Sequence, residues 1–190
     1  MDDESYFNYL RRRSFKGAIY RRWWLYPRLC RYFTGKVLDI GCGLGDFLAH
    51  RPSTVGVDVN SKTVAWCQQR GLEAQLIAND TLPFADASYD GALLDNVLEH
   101  IRDPAPLLKE TMRVLKPGGR LVAGVPGLCG FAYDVDHKVS YTEADLLRVM
   151  QQAGFTKDKI FYMPLHIKWL DQRLRQYCLY GVFHKEGHRP

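Results

Sequence analysis

No stretch of this 190-residue chain is apolar over the roughly 18–20 residues that a membrane-spanning helix needs, so no transmembrane helix is expected. The opening Met1-Asp2-Asp3-Glu4 is acidic and no apolar block follows it, so no secretory leader is expected and the expected working compartment is the cytoplasm. Cysteine is sparse and scattered: Cys30, Cys42, Cys67, Cys129 and Cys178 form no C-x-x-C pair and show no zinc-type spacing with histidine. That excludes a disulfide framework and leaves five reduced thiols. Internal repeats and low-complexity segments are missing too.

What is present is the composition of an ordinary soluble globule, 46% hydrophobic and 25% charged, at a length that suits one domain with a small appendage. The net charge of +5 is unevenly placed. Residues 1–36 hold nine basic residues (Arg11, Arg12, Arg13, Lys16, Arg21, Arg22, Arg28, Arg31 and Lys36) against three acids, and the rest of the chain is close to neutral. Within 5–34 these bases interleave with Tyr6, Phe7, Tyr9, Phe15, Tyr20, Trp23, Trp24, Tyr26, Tyr32 and Phe33. Such a segment is too apolar for a disordered tail, and one or two helices packed on the domain are expected.

From Lys36 onward short apolar runs alternate with helical patterns, which points to βαβ units and a mainly parallel sheet. Strands are expected at 37–40, 54–58, 74–77, 89–95, 120–125, 160–163 and 179–184. Helices are expected from Asp46, from a Ser61 cap to about Arg70, over 104–115 until Pro117-Gly118-Gly119, and over 142–153. Trp169, Leu170, Arg173, Leu174 and Tyr177 fit one more short helix.

The chemistry begins at Asp39-Ile40-Gly41-Cys42-Gly43-Leu44-Gly45, a glycine cluster between the first strand and a helix. Glycines there let backbone approach a ligand closely. The spacing is not the G-x-G-x-x-G of dinucleotide binders, and a carboxylate stands two residues before the first glycine. That acid suits a ligand carrying an ammonium and a sulfonium and conflicts with a pyrophosphate. Asp58, closing the second strand, is placed to accept hydrogen bonds from two ribose hydroxyls.

Four segments, VLDIGCGLGDFL (37–48), VGVDVN (55–60), LPFADASYDGALLDNVLEHIRDP (82–104) and LKPGGRLVAGVP (115–126), resemble in order the class I S-adenosylmethionine-dependent methyltransferases of the type-11 group, which includes ubiquinone and menaquinone methyltransferases. The resemblance covers residues 36–154. It implies an α/β, Rossmann-like fold: a seven-stranded, mainly parallel sheet with an antiparallel last strand and helices on both faces. It also implies S-adenosylmethionine as cofactor. Asp39, Gly41, Cys42 and Gly43 would line its methionine half, Asp58 would hold the ribose, and Val59 would pack on the adenine. Asp95 and Asn96 would sit on the catalytic rim. Where the family often has an acid for the adenine amino group this chain has Ala78, so either Asn79 or Asp80 takes that role or backbone alone does.

Residues 1–35 are expected to form a basic aromatic helical lid on a methyltransferase domain of 36–190, the lid closing over the site as N-terminal extensions of this family commonly do. Three groups are candidates for a general base: His137 in the loop after the fifth strand, Asp95, and His100, whose competing role is to orient the helix after strand four. Asp134, Asp136 and His137 together suggest a metal only weakly, since no second ligand cluster is evident, and no metal is expected. The expected partner is a small hydroxylated acceptor, anionic or saccharide- or lipid-linked, methylated on oxygen. A peripheral contact with anionic membrane stays open, as do monomer and homodimer. Two alternatives remain: an RNA methyltransferase using the arginine and aromatic segment, which the missing Asn-Pro-Pro-Tyr-type motif disfavours, and a non-catalytic SAM-binding partner.

Overall fold

The structure is a computed structural model that describes all residues except 1, 13, 79, 135, 166, 168–176 and 188–190. The helix expected around Trp169 to Arg173 therefore lies outside the described residues.

The basic N-terminal segment folds as α1 (Asp3–Arg11), α2 (Phe15–Tyr20), a π-helical turn (Arg21–Leu25) and α3 (Tyr26–Cys30). β1 (Val37–Ile40), α4 (Asp46–His50), β2 (Thr54–Asp58), α5 (Ser61–Gln69) and β3 (Ala74–Leu76) follow. Then come β4 (Tyr89–Asp95), a 3₁₀ turn (Leu98–His100), α6 (Ala105–Val114), β5 (Leu115–Pro126), α7 (Leu128–Phe131), α8 (Glu143–Gln152), β6 (Phe155–Met163) and β7 (Cys178–Lys185). The seven strands form one sheet in the order β3-β2-β1-β4-β5-β7-β6. β1 to β5 pair in parallel, and β7 is antiparallel to both β5 and β6. The expected α/β architecture with its antiparallel last strand is therefore the one observed.

Strand alternation divides the core in two. Leu38 and Ile40 of β1, Ala92 and Leu94 of β4, and Leu121, Ala123 and Val125 of β5 face one layer, covered by Leu107 and Leu108 of α6 and Leu146 and Met150 of α8. Val37, Leu93 and Val122 face the other, which Leu25, Tyr26, Leu29 and Phe33 fill from the N-terminal helices. Leu25 of the π-helical turn and Tyr26 and Leu29 of α3 thus anchor this segment in the packed interior.

Several details differ from expectation: β5 and β6 each begin five residues earlier than the expected 120 and 160. Asn60, not Ser61, caps α5: it is extended, and its side chain accepts from the N–H groups of Lys62 and Thr63, leaving Ser61 as the first helical residue. The helix expected to reach Leu115 stops at Val114, because Pro117 disfavours helical backbone at Lys116 and Leu115 pairs instead with Tyr89. The N-terminal segment holds three short helices where one or two were expected. At α8 the expected start is confirmed by a capping box between Thr142 and Asp145.

Candidate cofactor and acceptor site

Chain order reverses between β1 and β4, the two central strands, and in open α/β sheets ligands bind outside the strand ends at such a point. Two adjoining cavities open there. The larger, about 530 Å³, is walled by Asp39, the glycine turn, Asp95 and Asn96, and by side chains of α1, α2 and the π-helical turn. The smaller, about 320 Å³, lies over Asp58, Val59, Asn60, Ile77 and Asp80. Tyr6, Gly41, Asn96 and His100 line both, so one elongated ligand can span them.

Local sequence explains the turn. Gly41, Gly43 and Gly45 all have φ between +52° and +77°, the left-handed region where a side chain is strained. At Gly41 a Cβ would also come within 2.6 Å of Val97 Cγ2. Asp58 fastens the turn: one carboxylate oxygen accepts from Gly43 N–H at 2.8 Å and the other from Asn60 N–H at 2.9 Å. Val59 and Thr63 also hydrogen-bond this carboxylate, which borders the smaller cavity. Cys42 contributes backbone to the cavity wall, while its thiol is tucked beneath the turn toward Gly56 and Cys67. The neighbouring Cys67 and burial both push the Cys42 thiol up in pKa.

The electrostatics are unusual for so small a space. Asp39 is 4% exposed, and burial together with Asp95 and Asp58 holds its carboxyl well above the usual carboxylate range. Burial raises Asp58 as well, against the opposing bonds from Asn60 and Gly43. A pocket of carboxylates that repel one another and shed protons reluctantly favours a cationic ligand. The donor set therefore fits S-adenosylmethionine: carboxylates for its ammonium and sulfonium, and Asp58 for its ribose.

Asp95 shares its sheet face with Asp39, and its Oδ1 accepts from Asn96 Nδ2 at 3.0 Å and Tyr180 Oη at 2.7 Å. Tyr180 reaches it from β7 by passing its ring over Gly124 of β5, where any Cβ would collide with the ring. Asn96 itself has φ +58°, a strained conformation for a residue other than glycine, of the kind that collects at functional sites.

The other anticipated residues sort plainly. Val59 is exposed beside the smaller cavity and Asp80 lines it, whereas Asn79 lies outside the described residues. His100 and His137 both face the larger cavity, with ring centroids 4.9 Å apart, and burial lowers the His100 pKa. Asp134 lines the same cavity and accepts from Tyr9 Oη at 3.0 Å, while Asp136 lines the smaller one. Sequence reasoning missed Tyr180, Glu99 and Leu10: Glu99 stands beside His100 in the motif-bearing segment 82–104 and could have been found there, whereas Tyr180 and Leu10 carry no local signal, the Tyr180 contact with Asp95 spanning 85 residues.

α1 runs across both cavities. At its start the Asp3 carboxylate accepts from Ser61 N–H and Oγ, and the Asp3 carbonyl from Asn60 Nδ2. Near its end Leu10, 1% exposed, lies over Gly43. Arg21 Nη2 meets Asp46 at 2.8 Å, tying the π-helical turn to the start of α4.

Comparison with known proteins agrees. Residues 38–123 match the model of the methyltransferase domain. A probable S-adenosylmethionine-dependent methyltransferase of Mycolicibacterium smegmatis is 30% identical over 162 residues, covering 75% of this chain and 63% of that protein. A ubiquinone biosynthesis O-methyltransferase of Pseudomonas savastanoi is 34% identical over 97 residues (45% and 42%), and a probable tRNA methyltransferase 9B of Homo sapiens 36% identical over 91 (45% and 20%). The chain thus spans less than two thirds of each of these relatives. The crystal structure of a SAM-dependent methyltransferase from Methanosarcina mazei superposes with a TM-score of 0.70 at 21% identity, covering 87% of this chain and all of that one. Residues 38–123 thus match a methyltransferase domain, and the chain resembles S-adenosylmethionine-dependent methyltransferases in sequence and in fold. Among the described residues no helix is long and apolar enough to cross a membrane.

Proposed function

We propose that the protein moves a methyl group from S-adenosylmethionine to an oxygen of a small hydroxylated acceptor. The observation that carries this is the convergence of Asp39, Asp58 and Asp95 at the reversal point of the sheet, beside a second, roofed space. When bound, S-adenosylmethionine supplies a methyl on a sulfonium that leaves as a neutral thioether. Asp39 and the turn Gly41 to Gly43 hold the methionine half, Asp58 grips the ribose, and Val59 with Asp80 borders the adenine. Asp95 and Asn96 separate cofactor from acceptor. Fixing nucleophile and methyl in line can supply about 7–11 kcal/mol of the barrier, so the protein's main task is placement.

Acceptor size is set by the roof. α1 and α2 close the larger cavity down to a volume suited to a metabolite, and Arg12 is the base on its wall that can meet an anionic group, Arg21 being tied to Asp46. We read α1 and α2 as the lid. Exposed Phe15 and Ile19 of α2, with exposed Trp23 of the adjoining π-helical turn, suit a lipid-linked acceptor presented at an anionic surface. Incubation with methyl-labelled S-adenosylmethionine and pools of small hydroxylated metabolites, lipid-linked saccharides or transfer RNA should label the first or second pool. Label confined to RNA would overturn this reading.

A further inference from the structure

Glu99 and His100 end the 3₁₀ turn after β4, and His137 sits in the loop after α7. Two backbone bonds staple these segments together, with Lys138 N–H and Val139 N–H both donating to the Glu99 carbonyl at 2.7 and 3.1 Å. The consequence is a cluster in which one ligand atom from each of Glu99, His100 and His137 lies within 4.8 Å of the others.

We propose that Glu99, His100 and His137 bind a divalent transition-metal ion on the acceptor side of the larger cavity. Orientation of the imidazoles is the first support. His100 Nδ1 faces the Asp136 carbonyl at 3.2 Å and His137 Nδ1 the Phe131 carbonyl at 3.0 Å. A carbonyl only accepts, so each Nδ1 carries a proton and each Nε2 is the nitrogen turned toward a metal, the arrangement by which backbone carbonyls orient metal-binding histidines. Spacing is the second. His137 Nε2 and Glu99 Oε1 are 3.9 Å apart and the three ligand atoms lie within 4.8 Å of one another, and two ligands on a tetrahedral ion at about 2.1 Å stand about 3.4 Å apart, so side-chain shifts of at most about 1.4 Å close the site.

Burial is the third support. The Glu99 side chain is 1% exposed, so its attraction for a cation held against it would be little screened by water. Two imidazoles and one carboxylate suit Zn²⁺, Fe²⁺, Co²⁺ or Mn²⁺ better than Mg²⁺ or Ca²⁺, which prefer oxygen. Three protein ligands leave a coordination position open to the cavity that Asp95 and Asn96 also line.

This inference deepens the O-methyltransferase reading and rests on it for its chemistry. An acceptor hydroxyl on the ion has a lowered pKa and gives its proton to solvent water. Its oxygen then bonds to the methyl carbon while the carbon–sulfur bond breaks and sulfur keeps the electron pair. His100 and His137 act here as ligands, which accounts for two histidines in one wall better than two bases do.

The test is titration of the chelator-treated full chain with Co²⁺, read by visible d–d absorbance and by metal content after gel filtration. One Co²⁺ per chain is expected. His137→Asn and Glu99→Gln should each weaken binding tenfold or more while melting like the parent without metal. Absent Co²⁺ and Zn²⁺ uptake by the parent, or undiminished uptake by both variants, would overturn the site. Binding of S-adenosylmethionine to the metal-free parent is measured in parallel: its failure beside intact Co²⁺ uptake would strike the methyltransferase reading and leave the metal site standing.

Discussion

Asp39→Asn should weaken S-adenosylmethionine binding by about 10- to 100-fold, the loss expected when a charged partner of a cation is neutralised. The same substitution should leave the melting temperature of the free protein unchanged or raise it. Both effects have one origin. Burial with Asp95 and Asp58 nearby raises the Asp39 pKa in the folded chain, so ionised Asp39 costs the fold stability as pH rises above the ordinary carboxylate range. A bound cation reverses that cost. Parent affinity should accordingly fall as pH drops through the raised Asp39 pKa, because protonation removes the charge that the ligand needs. In Asp39→Asn that pH dependence should flatten. Calorimetric titrations of both proteins across a pH series check it, and equal affinities with parallel profiles would remove Asp39 from the site.

The second large effect concerns α1. A chain lacking residues 2–12 should lose S-adenosylmethionine affinity and turnover by at least about tenfold while keeping its cooperative melt, since only Leu10 of this helix is buried. A cut as far as residue 30 would be a poor test, because Leu25, Tyr26 and Leu29 lie in the same core as Val37, Leu93 and Val122. Leu10→Asp gives a point-mutant version, placing a carboxylate over Gly43 beside Asp39 and Asp58. It should disturb the cofactor cavity with little effect on the edge strand β6. Unchanged kcat and KM in both variants, measured by methyl transfer to an identified acceptor, would show that α1 is no lid.

The sheet was legible because buried parallel strands are written as short apolar runs, and the turn because Asp39, Gly41, Gly43 and Gly45 are neighbours in sequence. Asn60 and Ser61 are both good caps, and only the extended backbone at Asn60 decides between them. What stayed hidden depends on contacts across the chain. The Tyr180 hydroxyl meets Asp95 only because Gly124 leaves room for the ring, and nothing local in β7 announces it. His137 attracted notice beside Asp134 and Asp136, and Asp134 is indeed 3.9 Å from its Nε2, but Glu99 at the same distance and His100 are brought to it only by the backbone bonds of Lys138 and Val139. The π-helical turn likewise has no distinct sequence period, since Arg21 to Leu25 reads as ordinary amphipathic helix.

The central claim is that the strand ends at the β1–β4 reversal form a cation-seeking nucleoside site. Isothermal titration of the intact chain with S-adenosylmethionine addresses it most directly. The account predicts saturable heat with one ligand per chain, and correctly folded protein that releases none would contradict it.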